Sequence, residues 1–192
     1  MTTSSLRERI VDSALMLAAR GSWEALRLSD VAAELKITLE DVRLHFREKE
    51  EIVDAWFDRA DQAMLRAGAD SELMTLTPRT RLHRLLMVWL NALATHKKVT
   101  RQMIVNKFEP GHLHYQWAGL LRVSRTVQWW REAARRNAVL PRRAVEESVL
   151  TSIYLAVFAR WLVDDSENAR DTAALLDTLL AGAARLEKET LR

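Results

Sequence analysis

The chain is predicted to be all-α, with about nine helices, on three observations. Its 192 residues hold only five glycines and three prolines, so few breakers interrupt long elements. No β-branched run bounded by turn residues occurs anywhere. Apolar residues instead return at helical spacing in segment after segment. A hydrophobic content of 48% is ample for a packed core. Charged residues interrupt every candidate membrane span, and the opening MTTSSLRERIVDSA lacks the apolar block of a signal peptide, so a soluble cytoplasmic protein with no membrane partner is expected. The absence of cysteine excludes disulfides, thiolate catalysis and cysteine-ligated metals.

Ser5, with Glu8 three residues on, can cap a first helix whose stripe is Leu6, Ile10, Ala14, Leu17 and Ala18, and Gly21 ends it. Residues 28–46, LSDVAAELKITLEDVRLHF, read as two short helices. Leu28, Val31, Ala32 and Leu35 give the first an apolar side; Thr38 and Asp41 have capping-box spacing for the second, and Val42 and Phe46 repeat at i and i+4. Only Lys36 and Ile37 separate them. Helices joined so tightly cross steeply and leave Leu39, Glu40, Arg43 and Leu44 on a narrow outward ridge, a shape that fits the major groove of DNA.

From Glu48 to Ala67 a long helix keeps Ile52, Val53, Trp56, Phe57, Ala60, Met64 and Leu65 in period. GADSELMTLT carries the turn signals, which places a boundary between an N-terminal domain, 4–66, and a C-terminal domain, 67–192. Thr77-Pro78 starts the next helix, to about His96, and Val99 to Lys107 gives another before Glu109-Pro110-Gly111 breaks it. Helices follow over about 113–137, over 142–163 after Pro141, and over about 169–188. The first 66 residues carry ten Lys/Arg against thirteen Asp/Glu, net −3, and the remainder carries net +6. Nonspecific, charge-driven binding of nucleic acid is therefore not expected of the N-terminal part; specific binding needs only a few placed cations.

The run RERIVDSALMLAARGSWEALRLSDVAAELKITLEDVRLHFREKEEIVDAW resembles the N-terminal DNA-binding domain of TetR-family transcriptional regulators. The resemblance covers about residues 5 to 65 without a gap. Its marks are Arg9-Ile10 with Ala14, Gly21, Asp30-Val31-Ala32, Ile37-Thr38, His45-Phe46 and Lys49-Glu50. It implies a helix-turn-helix over 27–46, with Arg27, Ser29, Thr38, Leu39, Glu40, Arg43, Leu44, His45 and Lys49 as the DNA-binding residues. Thr38 would cap the recognition helix and hold a phosphate, Leu39, Glu40 and Arg43 would sit nearest base edges, and Lys49 would meet a phosphate at a helix start. It further implies a homodimeric regulator, a repressor, on a pseudo-palindromic double-stranded operator, with the second domain binding an effector.

This chain departs from the family pattern at Lys36, where glycine is usual, at Leu39-Glu40, where a small or basic pair is usual, and at Arg43, where an aromatic phosphate contact is usual. A glutamate can accept from a cytosine amino group and an arginine can take guanine O6 and N7, so the altered set suits a different operator. The alternative is a TetR-fold isoprenoid-lipid- or partner-binding protein with a degenerate reading head. Lipid-binding members use a further amphipathic helix at the C-terminus, for which the residues after about 188 leave no room.

In the C-terminal domain the helix near 113–137 is apolar on several faces. Mostly this is core, but the resemblance implies a pocket for a small apolar or aromatic effector, with Met87, Trp89, Met103, Phe108, Trp117, Leu121, Trp129, Tyr154 and Phe158 as walls and Arg125 to hold a carboxylate. Small residues crowd the last two helices and allow close approach, so pairing with a second copy is expected through Val149, Ile153, Ala156, Arg160, Leu176, Leu179, Leu180 and Ala183. His112 and His114, with Glu109 and Tyr115, could be offered as a metal site, as could His83 with His96, but histidines in such a loop are more often solvated or capping groups. No metal, no cofactor and no catalytic set is expected; Ser124, Ser148 and Ser152 lie within helices without a nucleophile elbow.

Overall fold

The computed structural model of the chain describes the backbone of residues 4–107 and 113–189 and the side chains of 4–105 and 122–187. Among the described residues it is all-helical: α1 Leu6–Arg20, α2 Leu28–Leu35, α3 Leu39–His45, α4 Lys49–Gly68, α5 Pro78–Leu93, α6 Lys97–Lys107, α7 Leu113–Ala133, α8 Arg142–Leu162 and α9 Arg170–Glu189. Short 3₁₀ turns occupy Ser71–Thr75, Ala94–His96 and Glu167–Ala169. The chain forms two compact units, one of residues up to Arg59 with Leu93–Leu113, the other of Ala60–Ala92 with the residues from His114 on.

In the first unit the expected caps form. Ser5 Oγ accepts from the Glu8 amide at 3.2 Å, and the Gly21 amide closes α1 on the Leu17 carbonyl at 3.1 Å. Ile10, Val11, Ala14 and Leu15 from α1, Val31 and Ala32 from α2, Val42, Phe46, Ile52 and Val53 make the core, all nearly inaccessible to solvent. Arg59 ties α4 to α1 through Asp12 and Glu8 at 2.5 and 2.6 Å.

The first unit also contains α6, where the sequence places the boundary at 66. Three contacts explain its membership. Trp56 Nε1 donates to Thr100 Oγ1 at 2.9 Å, the Trp23 amide donates to Gln102 Oε1 at 2.8 Å, and the His96 ring meets Trp56 edge-on at 5.7 Å. The two hydrogen bonds give polar groups at least partly withdrawn from water their partners, as a core requires.

In the second unit aromatic packing surrounds the buried Asp61–Arg122 ion pair. Asp61, 5% exposed, accepts from Trp89 Nε1 at 2.7 Å, Arg122 at 3.0 Å and Thr126 Oγ1 at 3.1 Å. Trp89 lies edge-on to Tyr154 and Phe158, and Phe158 stacks on Trp161. Trp130, fully buried, donates to the Leu82 carbonyl at 2.9 Å. Gly68 allows α4 to lie against α7, since a Cβ there would stand 2.9 Å from Ala133 Cβ.

Asp164 organises the corner between α8 and α9. It accepts from the Ser166 amide at 2.9 Å, the Ser166 hydroxyl at 2.6 Å, the Thr172 amide at 2.8 Å and the Thr172 hydroxyl. Burial alone raises its pKa, but these donors outweigh it and hold the carboxyl well below the usual range. The turn they clamp contains Asn168 and Ala169 with φ of 53° and 55°.

Candidate nucleic-acid interface

Between α2 and α3 the chain turns in three residues, Lys36, Ile37 and the N-cap Thr38. Lys36 adopts the left-handed conformation, φ 57°, and its amide and that of Ile37 return to the carbonyls of Ala33 and Ala32 at 3.1 and 3.0 Å. That geometry is the one glycine adopts without strain. At the α2 start, Asp30 accepts from the Arg27 amide at 3.2 Å.

At the α3 start, Thr38 and Asp41 close on each other. The Thr38 amide and hydroxyl donate to the Asp41 carboxylate at 2.8 and 2.7 Å, and the Asp41 amide donates to Thr38 Oγ1 at 3.1 Å. The bonds from Thr38 lower the Asp41 pKa, with His45 adding to the effect. Both helix starts are therefore satisfied internally, and Val42 and Phe46 press the underside of α3 into the core with 1% and 0% exposure. The upper side holds Leu39 and Leu44, 55% and 76% exposed, beside the exposed Glu40, Arg43 and His45. Arg27, Ser29 and Thr38 are exposed nearby.

Lys49 lies elsewhere. Its Nζ turns inward and donates to the carbonyls of Trp23, Glu24 and Leu26 at 2.9, 3.2 and 3.4 Å, over the Trp23 ring. Burial lowers its pKa, against the pull of Glu50 and Glu24. Its ammonium works as a staple for the turn before α2 rather than as an outward cation. Two exposed cations that the motif did not single out, Lys36 and Arg47, flank α3 instead. The Lys36 departure from glycine was the available signal.

The net negative charge of residues 1–66 also takes a different meaning. Glu8 and Asp12 are paired with Arg59, and Asp61 is buried with Arg122. Asp30, Asp41 and Glu51 accept from the amides of Arg27, Thr38 and Arg47. At least six of the thirteen acidic residues are thus occupied at fixed places in the fold.

The other predicted groups separate. Trp89, Tyr154 and Phe158 pack on one another in the second unit, where burial and Asp61 push the Tyr154 hydroxyl far above its ordinary pKa. Met87 is half-buried there, whereas Arg125 is exposed and Trp129 is 45% exposed, on the surface rather than at a pocket wall. Met103 is buried in the first unit. Phe108 and the side chains of Trp117 and Leu121 lie outside the described residues, as do His112 and the side chains of His114 and Tyr115. His83 instead meets the Ala173 carbonyl at 3.2 Å.

Along α8 and α9 a groove of about 430 Å³ is lined by Val149, Ile153, Leu179 and Ala183, with Ser148, Ser152, Thr178, Gly182 and Leu186. Ala156 is exposed on the same helix. Leu176 and Leu180 are not available to it: at 0% and 3% exposure they belong to the unit's own core. Arg160 is held by Asp171 at 2.9 Å. Gly182 is one of the small residues that crowd these two helices, and Ser148 and Ser152 line the groove with it.

No protein-family model and no curated relative matches the chain. Solved structures do. A TetR transcriptional regulator from Nitrosomonas europaea ATCC 19718 is 51% identical, with 93% of this chain and 98% of that one covered at a TM-score of 0.84. A TetR transcriptional regulator from Rhodococcus sp. RHA1 shares 17% identity over 90% of this chain and 93% of its own, TM-score 0.65, and a TetR-like regulator from the same organism shares 18% over 96% and 99%, TM-score 0.55. The last two show the shared fold. No helix among the described residues is long and apolar enough to cross a membrane. With half of its residues shared along nearly its whole length, and with the capped helix pair in place, this chain belongs to the TetR family of transcriptional regulators.

Proposed function

We propose that the chain is a cytoplasmic homodimeric repressor that reads a pseudo-palindromic operator through residues 27–46 and releases it when a small apolar or aromatic effector binds the second unit. The observation that carries the reading is the upper side of α3. Leu39 and Leu44 are exposed, with no core to fill, beside Glu40 and Arg43, on a helix whose underside and N-terminal cap are fixed. An exposed apolar and charged ridge on a rigid short helix has the right elements for base edges: alkyl groups for thymine methyls and a guanidinium for guanine O6 and N7. Arg27, Ser29, Lys36 and Arg47 are exposed and available to phosphates.

Dimerisation is supported by the groove between α8 and α9. Small side chains there, with Val145 and Leu186 65% and 62% exposed beside them, suit helices of a second copy packed in a twofold bundle. Two copies would set two reading heads on successive major grooves.

The test is binding of the purified protein to the DNA flanking its own gene, titrated with salt against unrelated DNA. Tight, selective binding is expected, and Arg43→Ala should cost about 1–3 kcal/mol and relax discrimination. Equal, feeble binding to every fragment would sink the reading and leave a partner- or lipid-binding member of the family.

A further inference from the structure

We propose that Glu40 is a specificity-determining residue, one that accepts a hydrogen bond from a cytosine amino group next to a guanine held by Arg43. The inference rests on the DNA-reading function proposed above and adds the base that one position of the operator must contain.

Two carboxylates stand in the first turn of α3, and the structure separates them. Asp41 is committed to Thr38 by three hydrogen bonds. Glu40 is exposed, and among the described residues no hydrogen bond or ion pair engages it. Arg43 is equally exposed and equally unengaged among those residues. The two lie three residues apart, a spacing at which side chains share a helix face and often pair. Here they stand side by side without doing so. Three residues of helix advance about 4.5 Å, close to the ~3.4 Å separation of stacked base pairs, so the two heads address neighbouring pairs.

Chemistry then restricts what Glu40 tolerates. An ionised carboxylate only accepts hydrogen bonds. In the major groove guanine presents O6 and N7 acceptors and thymine presents O4, all of which repel it; adenine pairs its amino group with an N7 acceptor. Cytosine alone offers an amino donor with no neighbouring acceptor on its own edge. The same negative charge opposes approach to phosphates at every other sequence, so Glu40 lowers nonspecific affinity while it sharpens choice.

Selection of operator sequences from random double-stranded DNA by the full-length protein tests this, run in parallel with Glu40→Ala and Glu40→Gln and with thermal melting of all three. The wild type should enrich a half-site with one near-invariant cytosine, substitution of which weakens binding about 5- to 150-fold. Glu40→Ala should lose preference in that column alone and bind unrelated DNA more tightly. Glu40→Gln should turn the column toward adenine, the base a glutamine pairs with. An unchanged motif in Glu40→Ala overturns the inference and leaves the DNA-reading function standing. Loss of every column in both variants at unchanged melting temperature also overturns it, since an acceptor for one base controls one column. A wild type that enriches nothing overturns the function and the inference together.

Discussion

Asp41 in the first unit and Asp164 in the second make closely similar bonds: each carboxylate takes a backbone amide and a hydroxyl, Asp41 from Thr38 and Asp164 from both Ser166 and Thr172. Their surroundings differ. Asp41 belongs to an exposed capping box, while Asp164 is 2% exposed at the corner of α8 and α9. Asp61 is buried as well, at 5% exposure, and has the Arg122 guanidinium as its counter-charge. On α3 the first unit leaves polar groups outward on a ridge, and around Asp61 and Asp164 the second uses them inside to fix helices. A reading head needs free donors and acceptors; a scaffold needs satisfied ones.

The largest expected effect comes from breaking the buried pair. Asp61→Ala removes the carboxylate that pairs with Arg122, 8% exposed, and that accepts from Trp89 and Thr126. A destabilisation of about 3–5 kcal/mol follows, measured by urea unfolding. A loss under about 1 kcal/mol would mean that the Asp61–Arg122 pair does not hold the second unit together and would weaken the contrast with the first.

Next comes Asp164→Ala, expected to cost about 3 kcal/mol, because several donors aimed at one buried charge lose it. The same change at Asp41 should cost less, since water can replace the carboxylate there. The pH dependence follows from the lowered pKa of Asp164. Its stabilisation is complete above the unfolded value, about 3.9, and is lost as pH falls through the lower folded value. The stability gap between wild type and Asp164→Ala should therefore narrow as pH drops below about 4. A gap that widens in acid would sink this assignment.

How far this could be read from the sequence depended on how local each interaction is. The caps of α1 and α3 join residues three apart, and the apolar periods are local too, so both were legible. The place of α6 was not, because Trp56 finds Thr100 and Trp23 finds Gln102, 44 and 79 residues away. The inward turn of the Lys49 ammonium was not legible for a related reason: nothing local announces that three carbonyls of residues 23–26 need a donor. On α9 the apolar stripe is broader than one interface, and periodicity cannot say that Leu176 and Leu180 turn inward while Leu179 and Ala183 line the groove. Within the candidate interface the exposed Leu39, Glu40, Arg43 and Leu44 were foreseen, since a two-residue link between short amphipathic helices leaves few other places for them.

The smallest effect sharpens the comparison from the other side. Lys36 holds φ at 57° in the turn that aims α3, a conformation costing a non-glycine residue about 1–2 kcal/mol. Glycine removes that strain but gives the unfolded chain more freedom, which takes back about 0.4–1 kcal/mol. Lys36→Gly should therefore stabilise the protein by about 0.5–1 kcal/mol and raise its melting temperature by roughly 2 °C. The turn keeps its bonds to Ala32 and Ala33 either way, because both are made by the backbone. The two units thus predict opposite signs: the inward polar groups of the second lose stability when altered, whereas the outward lysine of the first gains it. A destabilised Lys36→Gly would show that the lysine side chain holds the turn, and the reading head would then depend on its surface polar groups as the second unit depends on its buried ones.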